Sequence, residues 1–125
     1  MNTQSVSRQL VDQRIRNRLI EYLEVLANYE NDPPPWNLNE TINQWEDWVH
    51  SPATKEQFSS PIYTKFESEL LVEVDCAWSV FANATLSTIQ NDDIQRPEWA
   101  AFIVSARRAL GCLMHRGRLS EVHEV

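Results

Sequence analysis

Thr64-Lys65-Phe66-Glu67-Ser68-Glu69-Leu70-Leu71-Val72-Glu73-Val74-Asp75-Cys76-Ala77-Trp78 opens the segment whose reading decides the fold. Thr64 and Glu67 have the spacing of a capping box, in which hydroxyl and carboxylate satisfy each other's backbone N–H groups at a helix start. From there Leu70, Leu71, Val74, Ala77, Trp78, Phe81 and Thr85 recur at helical spacing and form a broad apolar stripe. The pattern predicts a helix over 65–84. Glu69, Glu73 and Asp75 fall outward on this phase. At i, i+4, Glu69 and Glu73 repel by a few tenths of a kcal/mol, roughly. They form either a solvated face or a place where a basic partner docks.

Working outward, two more segments carry the same period. Val11, Ile15, Leu19, Tyr22, Leu26 and Tyr29 predict a helix over about 7–29, with Ile20 and Leu23 on its other side, so contacts on more than one face are expected. Its charges oppose the macrodipole, arginines early and Glu21, Glu24 and Glu30 late, so tertiary packing must hold it. The early arginines either bind a partner or pair within the chain, and the second is the expectation, since Arg18 and Glu21 lie one turn apart. Trp99, Phe102, Ile103, Ala106, Leu110, Leu113 and Met114 predict a helix over 97–116, with Pro97 at the favoured first position and Gly117 as C-cap.

Between them, Asn31-Asp32-Pro33-Pro34-Pro35-Trp36 must break the first helix, because proline lacks a backbone donor and restricts the residue before it. A short helix over 39–49 is expected next, capped by Asn37 or Asn39. It places Leu38, Ile42, Trp45 and Val49 on one face, Glu40, Asn43 and Asp47 on the opposite one, and Glu46 and Trp48 on separate flanks. Residues 51–60 carry little periodicity beyond a possible turn of helix at Ser51-Pro52, and Asn91-Asp92-Asp93 signals a turn. The expectation is an all-α, single-domain bundle of four main helices over residues 1–125, with 1–6 and 118–125 loosely ordered.

Composition narrows the function classes. Net charge is −7, distributed as +3 over residues 1–20, −12 over 21–98 and +2 over 99–125. An acidic middle disfavours nucleic acid and anionic lipid and attracts a basic protein. Two cysteines without CxxC spacing, Cys76 and Cys112, point to a reduced cytoplasmic protein with incidental thiols. The polar start and the lack of any apolar run of ~20 residues predict a protein neither exported nor membrane-spanning.

No pattern of catalysis stands out. Gly111 and Gly117 are the only glycines, too few for a phosphate-cradling loop, and His50, His115 and His123 stand in no metal-ligating spacing. Cys112 and His115 lie one turn apart among arginines that would favour a thiolate, the one nucleophile arrangement to weigh. No metal, cofactor or enzymatic activity is expected.

Acids and aromatics carry the positive signal. Trp36, Trp48 and Tyr63 are least accounted for by the helix stripes, and with Asp32, Glu40, Glu46 and Asp47 they could form one patch around the second helix. Asn43, Glu69 and Glu73 complete the expected partner-binding set. The Trp45-Glu46-Asp47-Trp48 stretch and the acidic middle segment resemble the bacterial immunity proteins that neutralise toxin domains, including those of contact-dependent inhibition systems. That resemblance implies a stoichiometric inhibitor whose carboxylates cover the site of a basic toxin, typically a nuclease. The alternative is a helical adaptor or regulator recognising a basic protein segment. Either acts as a monomer or homodimer.

Overall fold

The computed structural model describes residues 6–85 and 89–125; of the expectation for residues 1–6, only Val6 lies inside that range. Among the described residues the chain is helical with no strand. Helix α1 spans Arg8–Ala27, α2 Leu38–Asn43, α3 Trp45–Trp48, α4 Lys65–Ala84 and α5 Pro97–Leu113. Gln44 keeps helical angles (φ −61°, ψ −24°), so α2 and α3 form one interrupted helix, the arm, and the bundle has four helices. Short 3-10 turns occupy Lys55–Gln57 and Asn91–Gln95.

Local chemistry places the ends. The Ser7 hydroxyl accepts from Leu10 N at 3.1 Å to start α1, and Asn37 Oδ1 accepts from Glu40 N at 2.8 Å to start α2. Both halves of the Thr64–Glu67 capping box are formed, at 3.1 and 3.0 Å. Beyond α5, Gly117 takes φ +73° and its N–H bonds Leu113 O at 3.0 Å, the left-handed cap expected of glycine there.

The arm departs from the single helix expected over 39–49. The Trp78 indole N–H donates to Ile42 O at 2.8 Å, occupying the carbonyl that would bond Glu46 in a continuous helix. The ladder therefore breaks at Gln44. The weakly periodic 51–60 segment holds one short helical turn, the 3-10 turn Lys55–Gln57, which begins after Ser51-Pro52 rather than at it, and the Gln57 amide clamps the His50 backbone, through N–H and C=O, at 2.8 Å each.

Helices α4 and α5 pack together most extensively, and α1 lies along α5. The arm covers the remaining side, Trp45 meeting the Tyr22 ring at 5.9 Å. Helix α1 is thus enclosed on several faces, burying Leu19, Ile20, Leu23 and Leu26 completely. At the far end Trp99 gathers Tyr29, Phe81 and Phe102 with ring centres 5.2–6.0 Å away. The adverse charges of α1 are met from outside the helix. Arg107 donates to Ala27 O at 3.0 Å, and Arg118 reaches Glu21 and Glu24 at 2.9 and 3.0 Å.

Two further expectations are corrected here. Asp75, expected outward, is 3 % exposed and accepts from the Trp45 indole at 2.8 Å, Ser51 Oγ at 3.1 Å and Ala53 N at 2.8 Å. Residues 118–125, expected to be loosely ordered, run back along α1. There Gln13 Nε2 donates to Ser120 O and His123 O at 2.9 Å each, and Asn17 exchanges bonds with Leu119 at 2.9 Å in both directions. The partners are buried polar side chains of α1, which a hydrophobic period does not register.

Candidate functional site

The broken arm and α1 face each other across a cleft of about 370 Å³. Arg18, Glu21, Tyr22 and Val25 line the α1 side, and Trp36, Gln44, Asp47 and Trp48 the other. Tyr22 is locked by its hydroxyl, which donates to Thr41 O at 2.6 Å. Trp36 also borders a second groove, about 400 Å³, between Glu24 and the run Asp32 to Pro35. The prolines pre-set an extended wall that cannot collapse onto α1 as a helix would. Trp36 therefore stands as a partition between two open grooves, and Trp48 closes one end.

Charge around this surface is uneven. Glu21 and Glu24 are engaged by Arg18 and Arg118 at 2.9–3.0 Å. Among the described residues, Asp32 and Asp47 have no cation within ion-pair distance, and both are exposed. No lysine or arginine occurs in the chain between Arg18 and Lys55. Arg18 lines the same cleft but pairs with Glu21 and Glu121, so Asp32 and Asp47, beside large half-buried aromatics, keep an attraction for an external cation.

The indole N–H of Trp36 is buried without an acceptor, unlike those of Trp45 and Trp78. Leaving such a group unpaired costs about 1–3 kcal/mol. Trp36 is thus less secured than the two core tryptophans.

The expected partner-binding residues divide among several places. Asp32, Trp36, Asp47 and Trp48 share the α1–arm surface. Asn43 and Glu46 line a different groove, between the arm and α4, while Glu40 is exposed in the first turn of α2. Glu69 and Glu73 lie on α4 and already have internal partners, Lys55 at 3.8 Å and Arg108 at 3.2 Å. Tyr63, grouped with the patch by sequence, is 4 % exposed and packs edge-on to Phe58 at 5.3 Å. Missing from the expected set were Arg18, Glu21, Tyr22 and Val25, the α1 side of the cleft. The late acids of α1 were the available signal, since a helix that opposes its own dipole is held by something else.

A second polar cluster lies at the opposite side of α1. Glu67 receives Arg16 at 3.0 Å and Arg116 at 2.7 Å, with Arg16 and Glu67 both buried. Burial would raise the Glu67 carboxyl, but bonds from Arg116, the Thr64 N–H and Arg16 outweigh it and hold the group below its ordinary range. Nearby, burial and then the Glu67 charge push the Cys112 thiol up, against the pull of Arg16 and Arg116. The thiolate expected from the surrounding arginines is therefore disfavoured. Among the described residues no three histidine, cysteine or acidic side chains converge to hold a metal, and no helix is long and apolar enough to cross a membrane.

No protein-family model, no curated protein and no solved structure matches this chain.

Proposed function

We propose that this protein is a non-catalytic, cytoplasmic immunity protein that binds a basic toxin domain, with nucleases the leading class, and neutralises it by covering its active site. The observation that carries the reading is the α1–arm surface, where Asp32 and Asp47 lack internal cations beside Trp36 and Trp48. Aromatic anchors supply the buried contact of a protein interface, and unpaired carboxylates set approach rate and partner choice. The open length from Trp48 past Trp36 to the proline wall also suits an extended basic segment, which supports the adaptor as second reading.

The test is calorimetric titration of a basic toxin domain encoded beside this gene, with its activity followed in parallel. Expected are stoichiometric binding, loss of toxin activity, and a Kd raised at least about tenfold by Asp47→Lys or Trp36→Ala, with Glu69→Lys neutral. Failure to bind at low salt would sink the immunity reading. Binding by a short basic peptide as tight as by any folded domain would favour the adaptor.

A further inference from the structure

The outward face of the α4–α5 pair is a second surface, distinct from the arm. Phe66, Val80 and Val104 lie on it with 62, 57 and 56 % exposure. Between Arg108 and Cys112, toward the Phe66 end, Gly111 adds no side chain, and nothing stands within 4 Å of where its β-carbon would be. The helices are antiparallel, and two observations set their register. Glu73 pairs with Arg108 at 3.2 Å, and Phe66 shares a groove of about 460 Å³ with Cys112 and His115. Along the same register Val80 lies level with the stretch from Ala101 to Val104. The face is balanced in charge, Glu69 and Glu73 being matched by Lys55 and Arg108, on a chain whose net charge is −7.

We infer that this face joins two copies of the chain in an antiparallel four-helix homodimer, the two-fold axis running parallel to α4 and α5. Such an axis lays α4 of each copy over α5 of the other without changing height along the helices. Level neighbours within one copy therefore become opposed neighbours between copies. Phe66 comes over the second copy's Cys112–His115 groove, Glu73 over its Arg108, and Val80 over its Ala101–Val104 stretch. Knob beside hole and acid beside base, at equal height, is the self-complementarity that a two-fold interface requires.

Charge selects a second copy as the occupant. Two molecules of net charge −7 repel over most of their surfaces, and this face is one on which acids and cations already balance. With about 30 Å of helix and a width of about 20 Å, it offers on the order of 600 Å² per copy, the lower end of specific interfaces. A reversible dimer follows rather than an obligate one. On α4, Asp75 and Trp78 bond to the arm region, whereas Glu73 and Val80 point away from it. The Trp36–Trp48 cleft stays open in the dimer, so the inference holds whether or not the toxin reading does.

Sedimentation equilibrium of the purified chain over a concentration series tests it. Expected is twice the monomer mass at the upper concentrations, with the dimer Kd raised about 100-fold by Phe66→Glu or Val104→Glu and unmoved by Glu40→Lys. Glu73→Arg and Arg108→Glu should each weaken the dimer and their combination restore it, with far-UV circular dichroism confirming that every variant folds. A monomer at all concentrations overturns the inference. So does a dimer indifferent to the Phe66 and Val104 changes.

Discussion

Trp45 and Asp75, on the arm and α4, meet in the interior with the indole N–H 2.8 Å from Oδ1, and the other carboxylate oxygen holds the start of the 51–60 loop through Ser51 and Ala53. One buried carboxylate therefore fixes three separate pieces of chain. Asp75→Ala leaves three donors without an acceptor and should destabilise the fold by about 3–5 kcal/mol. Asp75→Asn, which keeps one carbonyl oxygen, should cost about 1–2 kcal/mol. Urea unfolding followed by tryptophan fluorescence measures both; equal losses would refute this role.

Glu67 gives stability an acid limit. Its folded-state pKa is depressed, so its contribution is complete above the unfolded value near 4.5 and is lost as pH falls through the lower folded value. Glu67→Gln leaves the buried Arg16 charge uncompensated and should cost about 3–5 kcal/mol at neutral pH. The wild-type and variant urea midpoints should converge on acidification. Parallel curves down to low pH would show that Glu67 is not the group responsible.

An alkaline limit comes from two buried phenols. Burial, then the Asp47 charge, raises the Tyr22 hydroxyl above its ordinary value of 10.0, and burial raises that of Tyr63. A raised group contributes stability that is full below the unfolded value and lost as pH rises through the folded one. Above pH 10, stability should fall by about 1.4 kcal/mol per pH unit for each tyrosine. Tyr22→Phe, costing about 1 kcal/mol at pH 7 through its lost bond to Thr41 O, should flatten that slope. Alkaline titration of the denaturation midpoint decides it.

The C-terminal strap should exchange slowly. Leu119 N donates to Asn17 Oδ1 at 2.9 Å and Val125 N to Gln13 Oε1 at 3.0 Å. Hydrogen exchange should find these two amides protected and Met114 to Arg116 unchanged when Asn17→Ala releases the first. That substitution should cost about 2 kcal/mol. Rapid exchange at Leu119 in the wild type would contradict the docking.

How much of this was legible in the chain follows from which interactions are local. The capping box at Thr64, the stripe of α4 and the left-handed Gly117 depend on residues within a few positions, and all three are found where the sequence places them. Asp75 was misplaced because a helix phase assigns an acid beside the stripe to water, while the arm and the 51–60 loop that bury it arrive from 22 to 30 residues away. Glu69 and Glu73 looked like an unsatisfied pair because Lys55 and Arg108 lie on other elements. Of the expected binding residues, Asp32, Trp36, Asp47 and Trp48 do share a surface. Their opposite side was missed because Tyr22 was assigned to the core stripe and Arg18 and Glu21 to a pair within the helix, which left no residue of α1 to face the arm.

The gap in basic residues between Arg18 and Lys55 has a practical consequence for finding what the cleft binds. Trypsin cuts only after lysine or arginine, so the whole arm leaves the digest as one peptide, Leu19–Lys55, carrying Trp36, Trp45 and Trp48. Before the terminal lysine that peptide has no amine for lysine-directed reagents but seven carboxylates, Asp32 and Asp47 among them. A carbodiimide that joins carboxylates to a neighbour's lysines would tag a bound basic protein onto this single fragment, where a mass spectrometer reads the captured sequence directly.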